Sequence, residues 1–195
     1  MKGQAKMEAD DEQLMQKFAE GDARALAEIY GRYKLRILNF CLRFLGNRSE
    51  AEDVTGEVFL ALFSGTYTPQ SQAKFSTWLF TIARNRCIDC LRLKKRTVST
   101  TREGQEEFEF GTDAPDSRRQ LEAGETAGAV KAAVMRLPEE QREAIILREY
   151  NKFSYQEIAG ILGCSLQKVK ILIFRAREHL RGELASIIQE GHHEG

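Results

Sequence analysis

Apolar side chains recur at steps of three and four through the patterned segments of this 195-residue chain, and no segment sustains an alternation at step two. A period near 3.6 residues lines up one face of a helix, whereas a half-buried strand needs a period of two. The expected fold class is all-α. The clearest stripe runs from Asp22 to Phe44 through Leu26, Ile29, Tyr30, Tyr33, Ile37, Phe40, Cys41 and Phe44. Asp22 is placed to cap this helix and Gly46 to stop it. A short helix over Asp11 to Glu20 precedes it, ended at Gly21. Ser49 introduces a third over Glu50 to Phe63, buried through Ala51, Val54, Val58 and Leu62 while Asp53, Glu57 and Leu60 point elsewhere. A fourth covers Phe75 to Arg96, with its core face drawn through Leu79, Ile82, Ala83, Arg86, Cys87, Cys90 and Leu93.

Pro69, Pro115 and Pro138 fall in breaks between these segments, where a fixed φ and a missing N–H do least harm. Between Thr97 and Gly128 the pattern dissolves, and eight acidic side chains stand against three arginines, a net charge of −5. Such a stretch reads as a flexible acidic linker. After it, Leu137-Pro138 and the acidic pair Glu139-Glu140 mark a new helix start, with proline at the first helical position. The expected organisation is a disordered N-terminus (1–10), a first helical domain (11–96), the linker (97–128), a second, smaller helical domain (129–185) and a C-terminal tail (186–195).

Overall charge is silent about partners, since 29 basic and 29 acidic side chains cancel. Local charge is informative. Ser154-Tyr-Gln-Glu157 is a capping box that opens a short helix. Gly163-Cys164-Ser165 then supplies a tight turn, and Val169, Ile173, Ala176 and Leu180 give the next helix its buried stripe. This is helix-turn-helix spacing. On the second helix Lys168, Lys170, Arg175, Arg177 and Arg181 face Glu178 alone, a local +4 that suits the phosphates of duplex DNA. A solvated basic face on a helical hairpin is the bland alternative.

A second basic run, Arg84, Arg86, Arg92, Lys94, Lys95 and Arg96 against Asp89, carries +5 and follows Phe75 and Trp78 on the same helix. Aromatic faces beside cations suit single-stranded nucleic acid, because stacking replaces what unpaired bases have lost while the cations track the backbone. Equally, the two rings could be core and the basic run a solubilising helix end.

Other chemistries are poorly served. There is no glycine-rich phosphate loop, no metal-ligand cluster and no nucleophile-base arrangement, so an enzyme is not expected, nor any cofactor or metal. Cys87 and Cys90 share one helical face, but a zinc site needs two further ligands, and packed core thiols are the expected reading. With no run of 18 apolar residues and no apolar N-terminal core, membrane insertion is not expected and a cytoplasmic location is.

Several stretches together resemble a known family. Ala51-Glu-Asp-Val-Thr-Gly-Glu-Val-Phe59, Phe75-Ser-Thr-Trp-Leu-Phe-Thr-Ile-Ala-Arg-Asn-Arg-Cys-Ile-Asp89, Leu137-Pro-Glu-Glu-Gln-Arg-Glu-Ala144, Ser154-Tyr-Gln-Glu-Ile-Ala159 and Val169-Lys170 with Arg175-Ala-Arg177 are similar to bacterial RNA polymerase sigma factors of the extracytoplasmic function group. The resemblance implies a non-catalytic subunit that binds core RNA polymerase and directs it to promoter DNA, with a σ2-like first domain and a σ4-like second one. It implies that Asp53, Glu57 and Leu60 dock on the clamp of the largest polymerase subunit. It places Lys74, Phe75, Trp78, Arg84, Asn85, Arg92, Lys94, Lys95 and Arg96 against the melted −10 element. The duplex −35 element would then meet Ser165, Gln167, Lys168, Lys170, Ile171, Arg175 and Arg177.

The resemblance also implies that the acidic linker threads the polymerase's RNA-exit path, and that an anti-sigma protein holds the factor inactive. Two departures matter. Ile171-Leu172-Ile173 stands where many relatives carry Ser-Arg-Leu, so either Ile171 touches a thymine methyl or Ile171, Leu172 and Phe174 form an apolar patch for a protein partner. Gly56 stands where relatives often have glutamine, at about 1 kcal/mol of helix propensity relative to alanine. A stand-alone regulator binding duplex operators would also use residues 137–181, but it leaves Phe75 to Arg96 without a task.

Overall fold

Asp10 begins the first helix by accepting from the Asp11 N–H, and the chain continues as helices wherever the three-four stripe runs. The computed structural model describes residues 10–65, 67, 74–100 and 118–190. In order these form α1 (Asp11–Ala19), α2 (Ala23–Leu45), α3 (Arg48–Phe63), α4 (Phe75–Thr100), α5 (Arg118–Arg136), α6 (Glu139–Ile145), a π turn (Ile146–Tyr150), α7 (Tyr155–Leu162) and α8 (Leu166–Glu190). Among the described residues there is no strand.

Local signals set the ends. The Asp22 carboxylate accepts from the Arg24 N–H at 2.9 Å, and Gly46 takes the left-handed conformation (φ 78°) that closes α2. Two caps differ from expectation by a residue or two. Asn47, not Ser49, caps α3 through the Glu50 N–H at 3.0 Å, because its backbone is extended just ahead of the first turn while Ser49 is already helical. Pro138 is the N-cap of α6 instead of its first helical residue. Helices also enter the stretch read as linker from both sides, α4 to Thr100 and α5 from Arg118; its acidic middle, 101–117, lies outside the described residues, as do 1–9 and 191–195.

The first four helices bury Ile29, Ile37, Phe40, Phe44, Leu62, Leu79 and Phe80 together. The last four elements bury Ala144 to Leu147, Ile158, Ile161, Val169, Ile173 and Ala176. Three consecutive residues, Ile145, Ile146 and Leu147, are all buried, more than one stripe of a regular helix covers; the π turn that begins at Ile146 holds more residues per turn and so rotates less per residue, which keeps them on one broader side.

These are not two isolated cores. Phe80 on α4 meets Phe40 edge-on at 5.5 Å on one side and Phe153 of the second unit at 4.9 Å on the other. Arg142 of α6 donates to the Phe44 carbonyl at 3.1 Å, and Arg43 lies 4.2 Å over the Tyr150 ring. One continuous apolar core therefore runs through both halves. The expected core face of α4 is shifted by this: Phe75, Thr77, Leu79, Phe80, Ala83 and Cys87 are buried, while Arg86 and Leu93 are exposed. Two bodies pack on the N-terminal half of α4, so its buried arc is wider than one stripe.

Candidate nucleic-acid interface

The N-terminus of α4 is anchored by α1: the Phe75 N–H donates to Glu12 Oε1 at 3.1 Å, a carboxylate where the helix dipole favours one. The Phe75 ring is fully buried, edge-on to Tyr33 at 5.4 Å and Tyr67 at 5.2 Å. That corrects its assignment as a stacking platform for a base; it is a core residue, because the first turn of α4 points it between α2 and the Tyr67 loop. Trp78, one turn on, is half-buried, 4.9 Å from Tyr67 and 5.9 Å from Phe75. Its ring is held by other rings and keeps a surface in solvent.

The cations that follow are held by carboxylates. Arg84 Nε donates to Glu143 Oε2 at 3.0 Å and its Nη1 to Asn85 Oδ1 at 3.3 Å. Arg92 meets Asp89 at 3.7 Å, Lys94 meets Glu50 at 3.0 Å and Lys95 meets Glu139 at 3.5 Å. Ahead of the helix, exposed Lys74 meets Glu157 Oε1 at 2.9 Å. The exposed pairs are worth about 0–1 kcal/mol each, so a phosphate can displace them. Glu143 is different, with 2% of its side chain exposed. Burial pushes its carboxyl above the usual range, and the Arg84 charge and hydrogen bond oppose the rise.

On the second unit the expected capping box forms: the Glu157 N–H donates to Ser154 Oγ at 3.2 Å and the Ser154 N–H to Glu157 Oε2 at 2.8 Å. Gly163 (φ 63°) makes the turn, and Ser165 Oγ accepts from the Lys168 N–H at 3.2 Å to start α8. Val169, Ile173 and Ala176 are buried, leaving Gln167, Lys168, Lys170, Ile171, Phe174, Arg175 and Arg177 on the outer face. Lys168 pairs with Glu140 and Arg177 with Glu149, both at 2.6 Å. Leu172 is buried, so the proposed apolar patch shrinks to Ile171 and Phe174, 50% and 65% exposed.

A third face lies on α3, where Asp53, Glu57 and Leu60 are exposed opposite buried Val54, Val58 and Leu62. Glu57 also meets Arg86 at 3.5 Å. Gly56 opens on this side with space for a methyl group.

Glu157 shows how pairing translates into acid resistance. The hydrogen bond it accepts from Lys74, then those from Ser154, hold its carboxyl down at about 2 against an ordinary 4.5. A carboxylate depressed in this way stabilises the fold above its unfolded value and ceases to do so as pH falls through the folded one. The α7 cap and its clasp to Lys74 are thus complete above about pH 4.5 and fade towards about pH 2. Thermal midpoints of Glu157→Gln should fall less steeply across that window than those of the native chain.

Cys87 is buried and Cys90 half-buried. Its hydrogen bond with Cys41, then burial, push the Cys87 thiol far up, and burial raises Cys90. Among the described residues no group of three His, Cys, Asp or Glu side chains could hold a metal ion. No described helix is long and apolar enough to cross a membrane.

Nothing local in the sequence marks Glu143, Glu139 or Glu140 as partners of these cations, and Glu157 is legible only as a cap. Residues 29–97 match the family model Sigma-70 region 2, and residues 127–180 match Sigma-70, region 4. The chain is 33% identical over 179 residues to the ECF RNA polymerase sigma factor SigW of Bacillus subtilis, covering 86% of this chain and 93% of that one. It is 30% identical over 186 residues to the RNA polymerase sigma-H factor of Pseudomonas aeruginosa, with 92% and 96% covered. The chain belongs to the extracytoplasmic function group of RNA polymerase sigma factors.

The fold of this sigma factor is similar to that of RpoE from Bartonella quintana, crystallised with the anti-sigma factor NepR, at a TM-score of 0.66 and 24% identity over 82% of this chain and 96% of that one. In this sigma factor the region 2 match spans α3 and most of α2 and α4, and the region 4 match runs from the second half of α5 to Leu180 of α8. The Trp78 face and the α8 face thus fall in separate matched regions. Sigma factors, as a family, are not enzymes.

Proposed function

We propose that this sigma factor reads a promoter with two surfaces and docks on core RNA polymerase with a third. The residue blocks 11–96 and 129–185 supply them. Asp53, Glu57 and Leu60 on α3 meet the polymerase clamp. Lys74, Trp78, Arg84, Asn85, Arg92, Lys94, Lys95 and Arg96 take the −10 element as melted single strand. Ser165, Gln167, Lys168, Lys170, Ile171, Arg175 and Arg177 take the −35 element as duplex. The observation that supports this division best is that the aromatic cationic face belongs to α4 while the cationic face after a tight turn belongs to α8.

On the duplex, Lys and Arg contacts to phosphate set register, and base edges in the major groove set sequence. Among the described residues Lys170 and Arg175 make no ion pair, which leaves both open to DNA. On the melted strand, unstacking a base costs a few kcal/mol, offset by stacking on Trp78 and by the cations. Work of this kind belongs in the cytoplasm, with the polymerase. A protein inhibitor of the anti-sigma kind fits the exposed pair Ile171 and Phe174 on an otherwise basic helix.

The test is electrophoretic. Sequence-specific promoter binding should require core polymerase, and tight binding by the free chain alone would favour a stand-alone regulator. Stacking is worth about 1–3 kcal/mol per base, so Trp78→Ala should lower open-complex formation roughly 5- to 150-fold, with Asn85→Ala affected in the same direction. Polymerase affinity should stay within about twofold; a loss equal to that of a Leu60→Ala chain would refute the assignment.

A further inference from the structure

Two carboxylates from outside α8 meet its cations in the same way. Glu140 of α6 takes Lys168 and Glu149 of the π turn takes Arg177, each pair closing at 2.6 Å across 28 residues of chain. From Lys168 to Arg177 the helix makes about two and a half turns, so the two cations stand on opposite flanks of the stripe Val169, Ile173 and Ala176 that it buries. The helix is therefore strutted from both sides. Arg177 also donates to the Tyr155 hydroxyl of α7. The Tyr155 ring in turn carries Arg148 at 5.0 Å, and Arg148 donates to the Phe153 carbonyl at 2.9 Å. Lys170 and Arg175, exposed on the outer face, have no such strut.

We propose that Glu140 and Glu149 are specificity-determining residues of the duplex reading: they hold Lys168 and Arg177 in one register and cancel part of the charge that would fasten α8 to DNA of any sequence. This rests on the assignment of α8 to the −35 element. Non-specific binding comes from cations that release counterions wherever a phosphate is in reach, and a loose lysine or arginine reaches phosphates in many registers. A held one reaches few. Strut and phosphate can be served together, since an ammonium has three N–H groups and a guanidinium five. Both side chains are rich in rotamers, and fixing them before DNA arrives removes that cost from the specific complex. Meanwhile the two carboxylates lower the local charge of α8 from +4 to +2, which weakens attachment to every sequence. Removing a strut therefore moves the two kinds of binding in opposite directions.

The test compares Glu140→Gln and Glu149→Gln with the native chain in two measurements. In the first, the free full-length chain is titrated on a fluorescein-labelled short duplex of mixed sequence over a series of salt concentrations. In the second, each chain is assembled with core RNA polymerase and selects from a pool of duplexes randomised over promoter length, and the enriched sequences are read. Each variant should bind the mixed duplex several-fold more tightly, with a salt slope steeper by up to about 0.9. Its selected pool should lose preference in the upstream motif by roughly 5- to 150-fold at one or more base pairs, with the downstream motif unchanged. A pair that serves the fold alone gives another pattern, weaker binding to the mixed duplex together with a lower melting temperature. That pattern, unchanged binding to the mixed duplex, or an upstream motif as sharp as the native one overturns the role of the strut concerned. The α8 reading is judged separately by Arg175→Ala, a cation without a strut. An unchanged salt slope and upstream motif there overturn the reading, and the strut role with it.

Discussion

Arg84→Ala should destabilise the folded chain by about 3–5 kcal/mol, the range for removing one partner of a buried ion pair. Glu143 has 2% of its side chain exposed and takes its charge-assisted hydrogen bond from Arg84 Nε at 3.0 Å. Without the guanidinium the carboxylate is left charged in the interface between α4 and α6. The reverse change costs less. Glu143→Gln keeps the volume and an oxygen that accepts from Arg84, and the arginine retains 22% exposure through which water can solvate it.

The pH dependence carries the same logic. Burial raises the Glu143 carboxyl above its ordinary 4.5, so the folded chain holds that proton more tightly than the unfolded one. Its contribution is complete below the ordinary value and is lost as pH rises through the raised one. Taking away Arg84 removes the charge that opposes the rise, which widens that window upward. Denaturation midpoints of Arg84→Ala should therefore recover on acidification from neutral pH towards pH 5, and those of Glu143→Gln should not. Equal losses in both variants at every pH would show that the pair contributes through packing alone.

Phe80→Ala should cost a similar amount, about 3–5 kcal/mol, and should change the form of the unfolding curve. The ring is fully buried and has an aromatic neighbour on each side, Phe40 in the first unit and Phe153 in the second. Edge-on pairs add about 0.5–1.5 kcal/mol beyond area burial. Because one side chain serves both halves, its loss leaves a cavity on their seam, and a single cooperative transition should separate into two. Phe63, 44% exposed on α3, is the control: Phe63→Ala should cost under about 1 kcal/mol and leave one transition.

Much of this was legible along the chain. The stripes of α2, α3 and α8 bury most of the residues that period 3.6 selects, though Tyr30 is exposed and Leu26 and Leu180 are only half-buried, and the Asp22, Ser154 and Ser165 caps form as their side chains dictate. Faces outside those stripes, such as Asp53, Glu57 and Leu60, follow with no further information. Phe75 was not legible, because an aromatic beside a tryptophan is compatible with core and with a stacking platform, and only the approach of Tyr33 and Tyr67 decides. Leu172 failed likewise, since its place in α8 is set by the neighbours it meets. The clasps were invisible for a plainer reason: Arg84 and Glu143 lie 59 residues apart, Lys74 and Glu157 83 apart, and periodicity reports only on near neighbours.

The seam through Phe80 bears on how such factors can be recombined. A chimera that grafts α5 to α8 of another member onto α1 to α4 of this one brings new side chains against Thr77, Phe80 and Arg84. Unless the donor supplies a ring for Phe80 and an acid for Arg84, the hybrid inherits a void and a stranded cation. The two halves are then exchangeable only together with the residues that line the junction, whereas changes confined to the outward side chains of α8 leave that junction intact.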